Sequence, residues 1–211
     1  MQAPIQLSAP PTSLTMYHGG LNIGIFYPGS PNSPSGSDLI GNIFGSKSAT
    51  YTSTADGAGG NDYAWAIIVA PSDIDNFIMR KPEEIVSNTP ASIYDGLFNK
   101  NLTSTTGVSR ISRYKKGGYT DWYIPSVNEL AFIAKNLPKN FELEPRFSPL
   151  RANSYLSSTY VGQNVLATKK KNVSLLLAQS FYTPTYGDTI VVPDYKPMSV
   201  RLIRRVLVSN I

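Results

Sequence analysis

The sequence predicts an α+β domain made mainly of short strands and long loops. The 211-residue chain is 41% apolar and only 16% charged, and it contains 16 glycines and 16 prolines. Such a composition is typical of loop-rich β structure rather than of a helical bundle. Several runs rich in β-branched and aromatic residues end at Pro or Gly, as strands do, and one run carries the start signal of a helix.

Residues 1–15 predict an extended arm, because they contain Pro4, Pro10 and Pro11 and no sustained periodicity. Such an arm is disordered when alone, so we expect a neighbouring subunit or the body of the domain to hold it. Residues 16–211 are expected to form a single domain. The first 11 residues have neither a basic start nor an apolar run, so we expect no signal peptide. No run approaches ~20 apolar residues, so we expect no membrane insertion.

The N-terminal half of the domain predicts two strands separated by a loop insertion. Residues 21–27 are β-branched and aromatic and end at a Pro-Gly pair. Residues 28–61 are rich in Gly, Ser, Pro, Thr and Asn, and they are too many for an ordinary connection. Residues 63–70 are almost continuously apolar, which favours a strand covered on both faces.

The clearest element in the middle of the chain is a helix after Pro125. A residue before Pro avoids the α region, so 121–124 should be extended. Ser126 and Glu129 have the spacing of a capping box. An apolar stripe then follows at helical spacing: Val127, Leu130, Ala131, Ala134 and Leu137. Upstream, 92–101 predicts a short helix and 102–107 a polar turn, while 108–116 is compatible with a helix or an extended segment.

The C-terminal part predicts short strands and long loops over residues 138–198. Strands are expected at 173–178 and 189–192, and the chain should close with a strand over 200–208. Arg204 and Arg205 are adjacent and break the alternation of that last strand. A β-bulge or an edge position would accommodate them.

Little in the sequence indicates catalysis, a metal or a cofactor. Cys is absent, which excludes disulfides and thiol chemistry, and His18 is the one histidine. Nothing around His18 resembles a catalytic triad, and no phosphate-binding glycine motif is present. The close acidic pairs, Glu83–Glu84 and Glu142 with Glu144, are interpreted as solvated.

The net charge is +5. The main basic positions are Arg110, Arg113, Lys115, Lys116, Lys169–Lys171, Arg204 and Arg205. Because they are dispersed, we interpret them as solvated faces and expect no nucleic-acid partner. The alternative is an acidic partner, such as a polyanionic glycan or a negatively charged protein surface.

Three blocks carry a resemblance to a known family. They are Gly118-Tyr-Thr-Asp-Trp122 with Ile124-Pro-Ser126 and Glu129-Leu130, then Tyr155-Leu-Ser-Ser-Thr159, then Val200-Arg-Leu-Ile-Arg204. With these blocks the chain resembles the domain of unknown function found at the C-termini of bacterial collagen-like adhesins and in phage tail-associated proteins. That family is similar in fold to C-type lectins. Leu156 departs from the family, which usually has Trp there.

The resemblance implies short twisted antiparallel sheets, one or two helices and a set of structural motif residues. These residues are Trp122, Pro125, Ser126, Glu129, Ser157, Ser158 and Arg201. Trp122 would fill the core under the helix, and Arg201 would anchor loops. Val192-Pro-Asp194 and Glu144-Pro-Arg146 match the calcium-dependent sugar tripeptides of C-type lectins only in part. The formylglycine-generating activity of a related fold needs cysteine.

The resemblance further implies a non-enzymatic virion protein of a bacteriophage, in a tail fibre, tail-associated or decoration role. The arm would contact other virion proteins, and we expect a homo-oligomer. A host-surface glycan or protein would be the receptor. Tyrosine offers a large contact area at low entropic cost, so the expected ligand contacts are Tyr160, Lys169, Lys170, Tyr182, Tyr186 and Tyr195. The alternatives are a bacterial adhesin module and a purely architectural virion protein.

Overall fold

The computed structural model describes residues 6–7, 15–17, 19–26, 64–84, 92–93, 95–137, 153–166, 171–181 and 187–208. These residues form ten strands in two sheets, three short α-helices and one 3₁₀ turn. The predicted α+β class is confirmed. The loop insertion at 28–61, His18, Glu142 and Glu144 lie outside the described residues.

The first sheet has five strands in the order β1-β10-β4-β3-β2. They are β1 (Gln6–Leu7), β2 (Thr15–Tyr17), β3 (Gly20–Phe26), β4 (Ala64–Val69) and β10 (Ile203–Val208). The two strands predicted for the N-terminal half are confirmed as β3 and β4. As expected for a central strand, β4 is buried on both faces: Ile68 belongs to one core cluster, and Ile67 and Val69 belong to another.

The arm contributes the outermost strand of this sheet. Gln6 pairs with Leu207 and Leu7 with Val208, in parallel register. Gln6 and Leu7 of the arm are therefore held by the body of their own domain, which is one of the two surfaces expected.

The second sheet also has five strands, in the order β5-β9-β6-β7-β8. They are β5 (Ile74–Phe77), β6 (Ser154–Leu166), β7 (Lys171–Ser180), β8 (Thr189–Pro193) and β9 (Met198–Val200). The strands predicted at 173–178 and 189–192 are confirmed as parts of β7 and β8. The prediction of short strands throughout was wrong for β6, which has 13 residues and forms a long hairpin with β7.

The closing strand predicted over 200–208 is interrupted. The chain leaves the second sheet after β9, passes through Arg201 and Leu202, and enters the first sheet as β10. The expected bulge is absent, since β10 pairs with β4 in unbroken register. The neighbouring strand β1 pairs only with Leu207 and Val208, so among the described strands Arg204 and Arg205 pair with β4 alone, in agreement with the edge alternative. Both arginines also form ion pairs: Arg204 with Asp121 and Arg205 with Asp95.

Each α-helix begins at a side-chain cap. Asp95 accepts the Phe98 N–H at 2.8 Å, so α1 (Gly96–Leu102) starts later than predicted. Thr105 caps α2 (Thr106–Ile111). The first part of 108–116, for which the sequence allowed a helix or an extended segment, is therefore helical. A 3₁₀ turn (Lys116–Gly118) follows, and Ser126 caps α3 (Val127–Asn136).

Trp122 and Tyr123 are both fully buried, but they belong to different core clusters. Neighbouring residues of an extended segment point to opposite sides. Helix α3 packs through Leu130 and Ile133 in the cluster that contains Tyr123. The expectation that Trp122 lies under this helix was therefore wrong. None of the helices described is long and apolar enough to cross a bilayer.

Candidate functional site

The three sequence blocks that carry the resemblance meet in the folded domain. Tyr123 and Ile203 exchange two backbone hydrogen bonds of 2.8 and 2.9 Å. The Ser158 N–H donates to the Pro125 carbonyl at 2.8 Å. We call the region formed by 118–130, 155–159 and 200–206 the motif junction.

Glu129 is the centre of the motif junction. It forms the predicted capping box, accepting the Ser126 N–H at 2.8 Å while Ser126 Oγ accepts the Glu129 N–H at 3.3 Å. The same carboxylate also accepts the Gly96 N–H at 2.9 Å and the Tyr123 hydroxyl at 2.9 Å. Glu129 therefore joins the starts of α1 and α3 to the core, beyond the local capping role that the sequence predicted.

Burial and, next in size, the nearby Asp95 carboxylate raise the pKa of Glu129 to about 7, against the lowering effects of the Ser126 N–H and Arg205. Burial also raises the pKa of Tyr123 well above its ordinary value. Arg205 Nη1 lies 2.9 Å from Asp95 Oδ2 as an ion pair without hydrogen-bond alignment. Sequence patterns missed this network, because Asp95 and Glu129 are far apart along the chain.

The raised pKa of Glu129 predicts a pH-dependent stability. Between pH 4.5 and 7 the folded protein keeps a proton that the unfolded chain releases, so the free energy of unfolding should fall as pH rises through this window. The fall expected from this group is about 3 kcal/mol, and it should level off above pH 7. Urea denaturation at pH 5 and pH 7.5 samples most of this window and should record a fall of about 2 kcal/mol.

Glu129→Gln is the matched variant for this prediction. Gln reproduces the protonated acid, since its carbonyl can accept the two N–H groups while its amide donates to Tyr123. The variant should keep the fold and lose this part of the pH dependence. Equal pH dependence in both proteins would show that Glu129 is ionised in the folded state.

The segment Ser157-Ser158-Thr159 lies within β6 and forms hydrogen bonds with neighbouring elements, including the start of α3. Ser157 Oγ donates to the Leu177 carbonyl at 2.7 Å, and Thr159 Oγ1 accepts the Val127 N–H at 3.1 Å. All three side chains are buried. Their polar groups are therefore engaged in the scaffold.

Arg201 anchors a loop, as predicted. Its guanidinium donates to Asp73 Oδ1 at 2.5 Å and to the Ala70 carbonyl at 3.0 Å. The Tyr155 hydroxyl donates to the second oxygen of Asp73 at 2.8 Å. This cluster ties the segment between β4 and β5 to the break between β9 and β10.

Asp194, the acidic residue of the partial calcium tripeptide, is held by Arg80. The two side chains form two hydrogen bonds of 2.6 and 2.9 Å, and both are almost fully buried. In the part of the chain that the structure describes, no three His, Cys, Asp or Glu side chains come together as a metal site.

A small cleft lies between the helices and the second sheet. Its empty space, counted together with the part that is open to solvent, is about 300 Å³, and the centre of a water molecule has room of about 20 Å³ there. Its lining residues are Met79, Asn99, Lys100, Thr103, Val108, Ile111, Ile124, Ser158 and Tyr160. The buried hydroxyls of Thr103 and Tyr160 have no hydrogen-bond partner among the described residues. The arrangement can accommodate ordered water or a small hydroxyl group.

Of the six predicted ligand contacts, the structure describes two, Tyr160 and Tyr195, and they differ in exposure. Tyr160 was expected in a loop, but it belongs to β6, is 1% exposed and lines the cleft. Burial raises its pKa. Tyr195 is 36% exposed in the turn after β8. The remaining predicted contacts lie outside the described residues: Lys169, Lys170, Tyr182 and Tyr186.

Comparisons with protein-family models, with curated proteins and with solved structures each find no match. The class that the described residues define is a mixed α+β domain with two five-stranded sheets and few helices.

Proposed function

We propose that the chain is a non-enzymatic structural protein of a bacteriophage particle. In a tail fibre, tail-associated or decoration role, it displays a C-type-lectin-like domain for assembly and for attachment to the host. The observation that carries this proposal is the burial and hydrogen bonding of the polar residues in the motif junction. Ser126, Glu129, Ser157, Ser158 and Arg201, which belong to the three blocks, are buried and hydrogen-bonded within the domain.

This burial favours a scaffold over a catalytic centre. Glu129 and Arg201 are fully buried, and both have hydrogen-bond partners within the domain. In a domain of this kind, binding residues belong to the loops that a rigid scaffold positions. Two sheets with few helices are compatible with a lectin-like architecture.

Attachment is assigned to exposed side chains, and Tyr195 is the candidate that the described residues offer. Its ring is large and amphipathic, and it lies in a turn beside the exposed Lys196. Tyr in such a position provides apolar contact and a hydrogen-bonding tip at low entropic cost.

The test is sedimentation of the fluorescently labelled full-length chain with a panel of intact bacterial strains. We expect saturable binding to some strains, and Tyr195→Ala should weaken it about 30-fold if Tyr195 is a central anchor. Leu102→Ala is the control, because Leu102 is 42% exposed and lies on α1. A folded chain that binds no strain would contradict attachment and favour a purely architectural virion protein.

A further inference from the structure

Four cations lie close together on the surface where α2 ends: Arg110, Arg113, Lys115 and Lys116. All four are exposed. We call residues 110–116 the basic turn. Among the described residues, none of these four side chains forms an ion pair with a carboxylate. These four charges are solvated, as the sequence interpretation expected, but they are grouped in one turn rather than dispersed.

Buried Trp122 fixes the backbone of the basic turn. Its indole Nε1–H donates to the Lys116 carbonyl at 3.1 Å. The ring of Tyr114 packs edge-on against Trp122, with 5.7 Å between ring centres. A turn that is ordered before binding loses less conformational entropy when a ligand arrives.

The nearest carboxylate along the chain does not neutralise the basic turn. Asp121 accepts two hydrogen bonds of 2.7 Å from Arg204, whose guanidinium lies over the ring of Tyr119. Four like charges within seven residues repel one another, and a bound polyanion relieves that repulsion.

We propose that the basic turn binds an anionic polysaccharide of the bacterial surface, through the carboxylate or phosphate groups repeated along the glycan. The inference rests on the proposed attachment function and specifies the class of receptor. Guanidinium groups match such oxyanions with paired hydrogen bonds, and ammonium groups add point charges.

The aromatic content of the basic turn favours a glycan over a nucleic acid. Single-stranded nucleic acids are held by open aromatic rings on which bases stack. The one aromatic residue of the turn, Tyr114, is directed at Trp122 and is half-buried. A charged glycan needs only matched charges on an accessible turn.

The test compares two variants of the full-length chain that each lower the net charge by two. Lys115→Gln with Lys116→Gln alters the basic turn, and Lys81→Glu alters an exposed lysine elsewhere. The probes are oligogalacturonate, poly(glycerol phosphate), neutral dextran and a short DNA duplex. Fluorescence anisotropy is measured at 50 and 200 mM NaCl, and thermal melts by circular dichroism check folding.

We expect the wild type to bind one or both anionic glycans, with an affinity that falls as salt rises. The variant of the basic turn should bind about tenfold more weakly at low salt, and the control should stay within about twofold. Binding to poly(glycerol phosphate) alone would identify phosphate as the group recognised, and binding to oligogalacturonate alone would identify carboxylate.

Three results would overturn the inference: no binding to either glycan, equal loss in both variants, or tighter binding to DNA than to the glycans. The cell-sedimentation assay with the same variants separates this inference from the proposed function. If the basic-turn variant binds cells as well as the wild type does, the attachment function is supported and the role of the basic turn in it is contradicted. If the basic turn is needed for glycan binding but the chain binds no strain, the anion site is supported and the attachment function is contradicted.

Discussion

Replacing Asp194 with Asn should lower the free energy of unfolding by about 3–5 kcal/mol, because Arg80 would then be a buried charge without a counter-charge. The Arg80 side chain is 3% exposed and that of Asp194 is fully buried. Their two hydrogen bonds, of 2.6 and 2.9 Å, form the paired geometry in which a guanidinium binds a carboxylate most strongly.

The loss should be large because the pair joins distant parts of the chain. The backbone N–H of Arg80 donates to the Asp194 carbonyl, and that of Asp194 donates to the Ser174 carbonyl. Arg80 Nη1 also donates to the Glu84 carbonyl at 2.6 Å. The segment after β5 is therefore attached to β7 and to the end of β8 at one point.

Urea denaturation at pH 7 measures the effect. Asp188→Asn is the control, since Asp188 is an exposed carboxylate just before β8, and its replacement should change stability by less than about 0.5 kcal/mol. The double replacement Arg80→Met with Asp194→Leu should recover much of the loss, because it removes both charges. A loss below about 1 kcal/mol in Asp194→Asn would mean that water reaches Arg80.

Replacing Trp122 with Ala should cost about 3–5 kcal/mol, the range for truncating a large aromatic side chain in a core. Trp122 is fully buried in the cluster that includes Ile68, Phe77 and Leu176. The truncation would remove that packing, the edge contact with Tyr114 and the hydrogen bond to Lys116.

Trp122→Phe is the matched variant for this prediction. It keeps an aromatic ring but loses the indole N–H, so we expect a loss of about 1–2 kcal/mol. Hydrogen exchange in both variants should report faster opening of the basic turn, since the Lys116 carbonyl loses the indole donor and keeps only the longer bond from the Tyr119 N–H. An unchanged exchange rate around 112–118 would show that this hydrogen bond does not order the turn.

The elements that sequence patterns predicted well are those whose signals are local. The capping box places Ser126 and Glu129 three residues apart, and a helix begins there whatever packs on it. The apolar run of β4 predicted a central strand for a similar reason, since few other places can bury such a run on both faces.

The errors arose where polar residues are buried through contacts with distant segments. The run from Ser157 to Tyr160 appears too polar for a core strand, yet the Ser and Thr side chains are bonded to Leu177, Pro125 and Ser92. Similarly, adjacent Arg204 and Arg205 suggested a bulge, because their carboxylate partners could not be identified from the sequence.

By itself the sequence determined the α+β class, the strands β3, β4, β7 and β8 and the capped helix, because propensity, alternation and capping act over a few residues. Tertiary structure alone decided which charges are paired: Arg80 and Asp194 are 114 positions apart, and Arg201 and Asp73 are 128 apart. It also decided that Glu129 keeps its proton to about pH 7, since that pKa depends on desolvation and on Asp95. Burial and long-range charge contacts are properties of the assembled fold, and no local pattern encodes them.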